Sequence, residues 1–392
     1  MNIPFNKPYI TGGEKPYLDQ ALGSGKLSGN GDFTRKCQTL LEKRYGLRKT
    51  LLTTSCTDAL ELASLLINLK PGDEVIVPSY TFVSSANAFA LRGAKLVFAD
   101  SRKDHPNLDA GVIESLITPR TRAVVPVHYG GQACDMAQMM AIADQHKLWV
   151  IEDAAQAIDS AAGAQDVLRS ARETKSLHAA TDGKFLGSIG HLGAFSFHDT
   201  KNIIAGEGGA LAINHEPFVK RAEILWEKGT NRSAFFRGEV DKYGWVDVGS
   251  SFLPSELIAA FLLAQLEQVE KIQQLRMQAW KTYRTALASL ESKGVLVMPE
   301  QPHNAHLFYL ICRSLDERTA LIAHLKARGI ASVFHYLSLH KSPYFSDKHD
   351  GRELPNADRF TDCLLRLPMY AELGVAGAER VAGAVLDFYA AR

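Results

Sequence analysis

A lysine set between a short apolar run and a glycine-rich turn is the residue of this sequence best placed for chemistry. Lys201 lies in residues 195–202 (FSFHDTKN) and is followed at once by 206–209 (GEGG). An amine lifted out of water in this way is a nucleophile that forms a Schiff base with an aldehyde. Ser196, five residues upstream, offers a hydroxyl to a phosphate. Residues 152–156 (EDAAQ) place a carboxylate, Asp153, at the end of an apolar run. Read together, these groups point to pyridoxal phosphate (PLP) as a cofactor.

Each further residue of the constellation has two readings. Asp153 fits a helix N-cap, or a carboxylate that pairs with the pyridine nitrogen and keeps it protonated as an electron sink. Residues 53–58 (TTSCTD) open a helical pattern and fit a cap. They equally fit a phosphate cup in which Thr57 and Ser196 give hydroxyls and Asp58 its backbone N–H. Phe82 fits a core aromatic or a ring stacked on the pyridine. Gln156 is either an exposed first-turn residue or the partner of the ring oxygen. His128 and His198 fit structural or acid–base roles alike.

The elements that must position these residues alternate. Residues 74–78 (EVIVP), 95–99 (KLVFA), 123–127 (AVVPV) and 148–151 (LWVI) are expected as buried strands. Helices are expected between them at 84–92, 108–117 and 136–147. Such alternation predicts an α/β fold with a largely parallel sheet covered on both faces. Ligands then collect beyond the carboxyl ends of the strands, where Ser79 to Phe82, His128 and Asp153 fall. Residues 255–290 read as one long helix opened by Pro254. Beyond it, strands at 295–298, 306–312 and 331–336 and a helix at 318–328 predict a smaller C-terminal α+β domain. The expected division is 1–253 and 254–392. Residues 161–184 are weakly patterned and read as a surface excursion or a short extra helix.

Composition narrows the classes. The 392 residues are 46% hydrophobic and 22% charged, with a net charge of +1. That balance gives no sign of a nucleic-acid or membrane partner, and no apolar run approaches the roughly 20 residues of a span. The five cysteines form no C-x-x-C pair, which predicts no metal site and fits a reducing, cytoplasmic setting.

The ordered segments 23–29, 71–82, 126–130, 152–156 and 195–202 resemble the DegT-type sugar-nucleotide aminotransferases, a branch of the aspartate-aminotransferase fold (PLP fold type I). Within that family, residues 228–233, 235–238 and 241–243 carry a closer likeness to enzymes that aminate a dTDP-linked 4-keto-6-deoxyglucose to the 4-amino-4,6-dideoxygalactose sugar. The resemblance implies a homodimer with shared active sites and L-glutamate as donor. It implies the same roles: Lys201 as Schiff base, Asp153 to the ring nitrogen, Gln156 at the ring oxygen, Phe82 stacked, and Thr57, Asp58 and Ser196 at the phosphate. Many members place an asparagine of the neighbouring subunit on the phosphate; Ser251 takes that place here. Residues 161–184 exceed the family pattern by roughly 20 residues, an uncommon loop length. Lys26, Arg232 and Arg237 are candidates for the diphosphate or the donor carboxylate, or are solvated surface charges. The competing readings are a 3-keto sugar aminotransferase, a deoxysugar dehydratase of the same fold, and a non-catalytic PLP- or sugar-sensing regulator. The family's dehydratases carry histidine where this chain has Lys201.

Overall fold

The computed structural model describes residues 2–163, 181–301 and 303–392. Strands β1 (Lys49–Thr53), β2 (Glu74–Pro78), β3 (Lys95–Ala99), β4 (Thr121–Val124), β5 (Trp149–Asp153), β6 (Leu192–Ser196) and β7 (Gly209–Ile213) form one sheet. Their order is β1-β7-β6-β5-β4-β2-β3. The ladders β2–β3, β2–β4, β4–β5 and β5–β6 are parallel, and β7 runs antiparallel to β1 and β6. Every residue of β2, β6 and β7 is buried. That is why these strands read as continuous apolar runs rather than alternating ones.

Helices α1 (Glu14–Gly23), α2 (Asp32–Tyr45), α3 (Cys56–Leu66), α4 (Ser84–Ala90), α5 (Ile113–Leu116) and α6 (Met136–His146) flank the sheet. The β2, β3, α4 and α6 segments match the sequence-based expectation closely. The helix expected over 108–117 is shorter. The Asp109 carboxylate accepts from the Gly111 amide and starts a 3-10 turn, Ala110–Val112, ahead of α5.

The long helix expected over 255–290 is three helices, Glu256–Leu266, Val269–Ala286 and Ala288–Ser292. Gln268, at φ −116° and ψ 19°, breaks the first from the second. The first is apolar nearly all round and packs against α1 and α2; the second is amphipathic and packs on Gly374–Ala390. One straight axis does not serve both neighbours, so the apolar periodicity continues while the chain turns.

A second sheet has the order β8-β10-β9, with β8 (Phe308–Ile311), β9 (Val333–Phe334) and β10 (Leu364–Leu367) all antiparallel. The strand expected at 295–298 is reduced to one bridge, Val297 to Ile311. Leu365 and Leu367 pack with Phe308, Val381 and Val385 in a separate core. Truncating either leucine to alanine costs about 2–5 kcal/mol. The N-terminal segment joins this core: Ile3 pairs with Ile330. Of the segment 161–184, residues 164–180 lie outside the described residues; Ala161 pairs with Phe185 on its far side.

Candidate active site

The carboxyl ends of β1, β2, β5 and β6 open on a cavity of ≈ 590 Å³, within the range of small-molecule sites. Its walls include Cys56, Thr57, Phe82, Asp153, Gln156, Ser196 and Lys201. Residues nearly 150 positions apart thus meet because parallel strands end together on one edge of the sheet.

Asp153 is 5% exposed at the last position of β5. Its Oδ2 accepts from Ser85 Oγ at 2.6 Å, and its Oδ1 from the Ala155 amide at 3.1 Å. Ser85 is itself within 2.9 Å of Thr81 Oγ1. No helix follows β5 directly, so the cap reading reduces to a local turn bond. The carboxylate is a fixed acceptor aimed into a water-poor space. Lys201 lies on the same wall, and burial holds its amine below the ordinary lysine value. The Arg366 charge pushes the same way, while Cys56 and Asp153 oppose it. Burial also pushes the Cys56 thiol well above its usual range, which leaves it a protonated wall residue rather than a nucleophile.

The N-terminus of α3 forms one end of the cavity. Ser55 caps it, accepting from the Asp58 amide at 3.1 Å. Thr57 Oγ1 donates to Ser84 Oγ at 2.8 Å, and Ser196 completes that end from β6. Hydroxyls and a helix N-terminus are the donor set an anion requires. Gly209 makes the arrangement possible: a Cβ there would lie 2.4 Å from the Cys56 amide nitrogen. Asp58 sits in the first turn of α3. Its N–H is engaged by Ser55, and its carboxylate accepts from the Thr54 hydroxyl.

Gln156 is held at both ends, its Oε1 accepting from the Gly130 amide at 2.7 Å and its Nε2 donating to Tyr336 Oη at 3.1 Å. Phe82 stands at the opening, 55% exposed, with its ring centroid 6.1 Å from that of Tyr336. His128 does not reach the cavity. It is buried, accepts from the Cys134 amide and sits 2.8 Å from Glu152 Oε2. Glu152 also accepts from the amides of Gly187, Ile189 and Gly190, so this pair ties a loop to β5. His198 stands at the rim, 3.0 Å from Asp199 and 2.9 Å from Thr200 Oγ1.

The other candidates lie outside this chain's cavity. Lys26 Nζ donates to Asn30 O at 3.0 Å. Arg232 lies over the Phe236 ring, and Arg237 pairs with Glu223 and Glu239. Ser251 is exposed and bridges Glu227.

Sequence reasoning missed the residues contributed by the N-terminal segment and by the second sheet with the loops beside it. Phe5, Asn6, His306, His335, Tyr336 and Arg366 line the cavity. His306 Nδ1 is 2.8 Å from Asn202 Oδ1, so that nitrogen is the donor and Nε2 remains an acceptor. Burial, reinforced by the Lys201 charge, holds this imidazole neutral, far below its usual pKa. Asn202 Nδ2 donates to Asn304 O at 2.7 Å and to Gln273 Oε1 at 2.8 Å. The residue after Lys201 thereby joins the two sheets. One signal was present in the sequence: Arg366 is a lone charge in an otherwise apolar run, LLRLP.

A family model described as the DegT/DnrJ/EryC1/StrS aminotransferase family matches residues 8–386. The spore coat polysaccharide biosynthesis protein SpsC of Bacillus subtilis (strain 168) is 31% identical over 397 residues, 98% of this chain and 96% of that protein. The aminotransferase TlmJ of Streptoalloteichus hindustanus has a TM-score of 0.87 at 26% identity, over 100% of both chains. Spr1654 of Streptococcus pneumoniae, solved in a PLP form, has a TM-score of 0.87 at 24% identity, over 100% of this chain and 99% of that one. At that identity the likeness is one of fold.

Proposed function

The chain belongs to the DegT/DnrJ/EryC1/StrS aminotransferase family, whose members are PLP-dependent sugar aminotransferases, and from that premise we propose that it carries an amino group from L-glutamate to a nucleotide-linked 4-keto-6-deoxyhexose. The acceptor we favour is dTDP-4-keto-6-deoxyglucose, with the 4-amino-4,6-dideoxygalactose sugar as product. The observation that supports this reading most is that Lys201 and Asp153 line one cavity whose far end is a helix N-terminus.

The donor set fits the cofactor. Thr57, Ser196 and the first amides of α3 would hold its phosphate, Asp153 its ring nitrogen, Gln156 its ring oxygen, Phe82 its face, and Lys201 its aldehyde carbon. Bound there, PLP supplies an aldehyde that joins amines covalently and a protonated ring that draws off the electron pair of a deprotonated carbon. Asp153 keeps the ring nitrogen protonated, and Ser85 with the Ala155 amide fixes the direction in which the carboxylate points. In the donor half of the reaction, Lys201 Nζ takes the proton from the donor's α-carbon. In the acceptor half, the same nitrogen gives a proton to the former keto carbon of the sugar. An amine with a lowered pKa is suited to both transfers, because it is neither locked as ammonium nor too weak to accept.

The proposal extends to a cytoplasmic homodimer with shared sites. The region around Ser251 exposes Phe236, Tyr243, Trp245 (84% exposed), Val246 and Val248, an apolar surface suited to burial against a second copy. In such a dimer Ser251 would meet the phosphate of the neighbouring site, and Lys26, Arg232 and Arg237 are candidates for its diphosphate. Five free cysteines, four of them buried, support a reducing compartment. Among the described residues no helix is long and apolar enough to cross a membrane.

The test is product analysis. Holoenzyme incubated with dTDP-4-keto-6-deoxyglucose and L-glutamate should yield 2-oxoglutarate and one amino sugar, whose NMR spectrum places nitrogen at C4 in the axial, galacto position. Nitrogen at C3 would replace this reading with the 3-keto sugar one. Loss of oxygen without nitrogen gain would replace it with dehydration.

A further inference from the structure

The bonds around His306 fix which of its two ring nitrogens carries the proton. Asn202 Nδ2 lies 2.7 Å from Asn304 O and 2.8 Å from Gln273 Oε1. A backbone carbonyl only accepts, so the amide nitrogen of Asn202 must face it and Oδ1 must face His306. That oxygen, 2.8 Å from His306 Nδ1, takes the Nδ1 proton. The imidazole is 6% exposed, and burial together with the Lys201 charge holds it neutral. Nε2 is therefore a lone pair. It has no partner among the described residues, and it opens on the cavity rather than being sealed in the core. His335 stands on the same wall, but its Nδ1 is 2.9 Å from the Tyr129 hydroxyl, which can donate or accept, so that contact fixes no tautomer.

The backbone of His306 is clamped as well. Its amide donates to Asn304 Oδ1 at 3.0 Å, and its carbonyl accepts from Arg276 at 2.6 Å. Asn304 Nδ2 in turn donates to the carbonyls of Gln156 at 2.8 Å and Ile158 at 2.9 Å. The acceptor at Nε2 is thereby set in place relative to the loop after β5 and to residue 202, the neighbour of Lys201. An acceptor placed in advance needs no ordering when its donor arrives. Covered by a ligand that brings no donor, it is left unpaired at a cost.

The two substrates differ in what they bring to such a group. L-Glutamate carries two carboxylates, which hold only lone pairs at neutral pH and are repelled by another. Its amine is the group handed to the cofactor. A 4-keto-6-deoxyhexose carries hydroxyls, each of them a donor. Position selects among these. Nε2 belongs to a ring bonded to the residue after Lys201, and Lys201 must reach C4. The carbons flanking C4 are C5, which bears the 6-deoxy methyl group, and C3, which bears a hydroxyl. We infer that His306 Nε2 accepts from the C3 hydroxyl of the acceptor sugar and so selects 4-keto sugars that keep that hydroxyl. The inference rests on the aminotransferase reading and adds to it one named group of the substrate.

The test compares dTDP-4-keto-6-deoxyglucose with its 3-deoxy analogue, dTDP-4-keto-3,6-dideoxyglucose, on holoenzyme of wild type, His306→Asn and His306→Gln. His306→Asn keeps an N–H at the Nδ1 position for Asn202 and removes the acceptor at Nε2. His306→Gln keeps an acceptor near the Nε2 position. Three quantities are read: kcat/KM for each sugar, the L-glutamate concentration that half-saturates conversion of the cofactor's absorbance, and the resting absorbance. Wild type should prefer the sugar with the hydroxyl by about 10–100-fold, the effect of leaving one buried acceptor unpaired. His306→Asn should lose that preference by slowing on the hydroxylated sugar alone, so that the ratio falls toward one. His306→Gln should retain part of it. The glutamate response and the resting absorbance should match wild type in both, because no hydroxyl takes part in that half of the reaction. A wild-type ratio near one, a preference kept in full by His306→Asn, or an equal loss in the glutamate response overturns the inference. A wild type that L-glutamate converts to the pyridoxamine phosphate form, and that then aminates neither sugar, overturns the functional reading instead.

Discussion

Ser85 Oγ donates to Asp153 Oδ2 at 2.6 Å, across 68 positions of sequence and from helix α4 to the end of strand β5. The bond is buried, and it leaves the carboxylate no freedom to turn. A carboxylate that must hold a proton on a ring nitrogen needs that restraint, because a small misalignment is enough to weaken catalysis strongly.

Asp153→Asn should therefore retain PLP and lose kcat by about 10²–10⁴-fold, the range in which positioned proton-holding groups act. Ser85→Ala, which frees the carboxylate without removing it, should lose about tenfold. Steady-state rates with L-glutamate, beside the absorbance of the purified proteins, check both. Equal rates for Asp153→Asn and wild type would remove the carboxylate from the mechanism.

The pH dependence of the donor half-reaction follows from Lys201. Its pKa lies below the ordinary lysine value, and the proton-accepting form is the neutral amine. Rate should rise with pH and level off below the pKa of an exposed lysine, about 10.4. Replacing Arg366 by glutamine removes a positive charge that disfavours the ammonium, so the amine's pKa rises and the profile shifts to higher pH. Stopped-flow rates at saturating donor across pH measure this; a profile displaced to lower pH would contradict the assigned sign.

Glu152 and His128 carry a stability prediction. Glu152→Ala leaves three backbone amides and His128 without their acceptor in a fully buried site. The expected loss is about 3–5 kcal/mol. Urea denaturation of the holoenzyme reads it as a lower midpoint, and a shift of under about 1 kcal/mol would mean the loop at 187–190 is held by other contacts.

His105 sets an acid limit. It is buried, its Nδ1 accepts from the Asn107 amide at 3.1 Å, and burial lowers its pKa to about 3, with the His303 charge acting the same way. A base whose folded pKa is depressed takes its proton first in the unfolded chain. Stability from this group is thus complete above about pH 6.5 and falls by about 1.4 kcal/mol per unit as pH drops toward 3. His105→Asn keeps an acceptor and loses the titration, so the acid slope between pH 6 and 4 should be shallower by that amount. Denaturation midpoints at several pH values give the slope; an unchanged one would mean that His105 is solvated.

Much of the large sheet is legible from the chain because its strands are buried on both faces. Residues 75–78 and 96–99 are unbroken apolar runs, and β2 and β3 occupy them with one charged residue ahead of each. Asp153, Ser196 and Lys201 are visible as polar residues at the ends of such runs. What failed to show is what depends on distant packing. The break at Gln268 has no proline or glycine to mark it; it arises because two helices serve different neighbours. β10 is only four residues long, and its pairing with β8 and β9 is non-local, so nothing local places Arg366 on a cavity. The link from Asn202 to His306 joins residues 104 apart and has no local signature.

The central claim is that Lys201 and Asp153 address one PLP ring, the lysine covalently. Reduction of the holoenzyme with borohydride, followed by proteolysis and mass spectrometry, fixes the covalent partner. The account requires the phosphopyridoxyl group on the peptide that contains Lys201, with none on other lysines and none in Lys201→Ala. The group on a different lysine, or an unmodified Lys201 peptide from fully reduced enzyme, would contradict it.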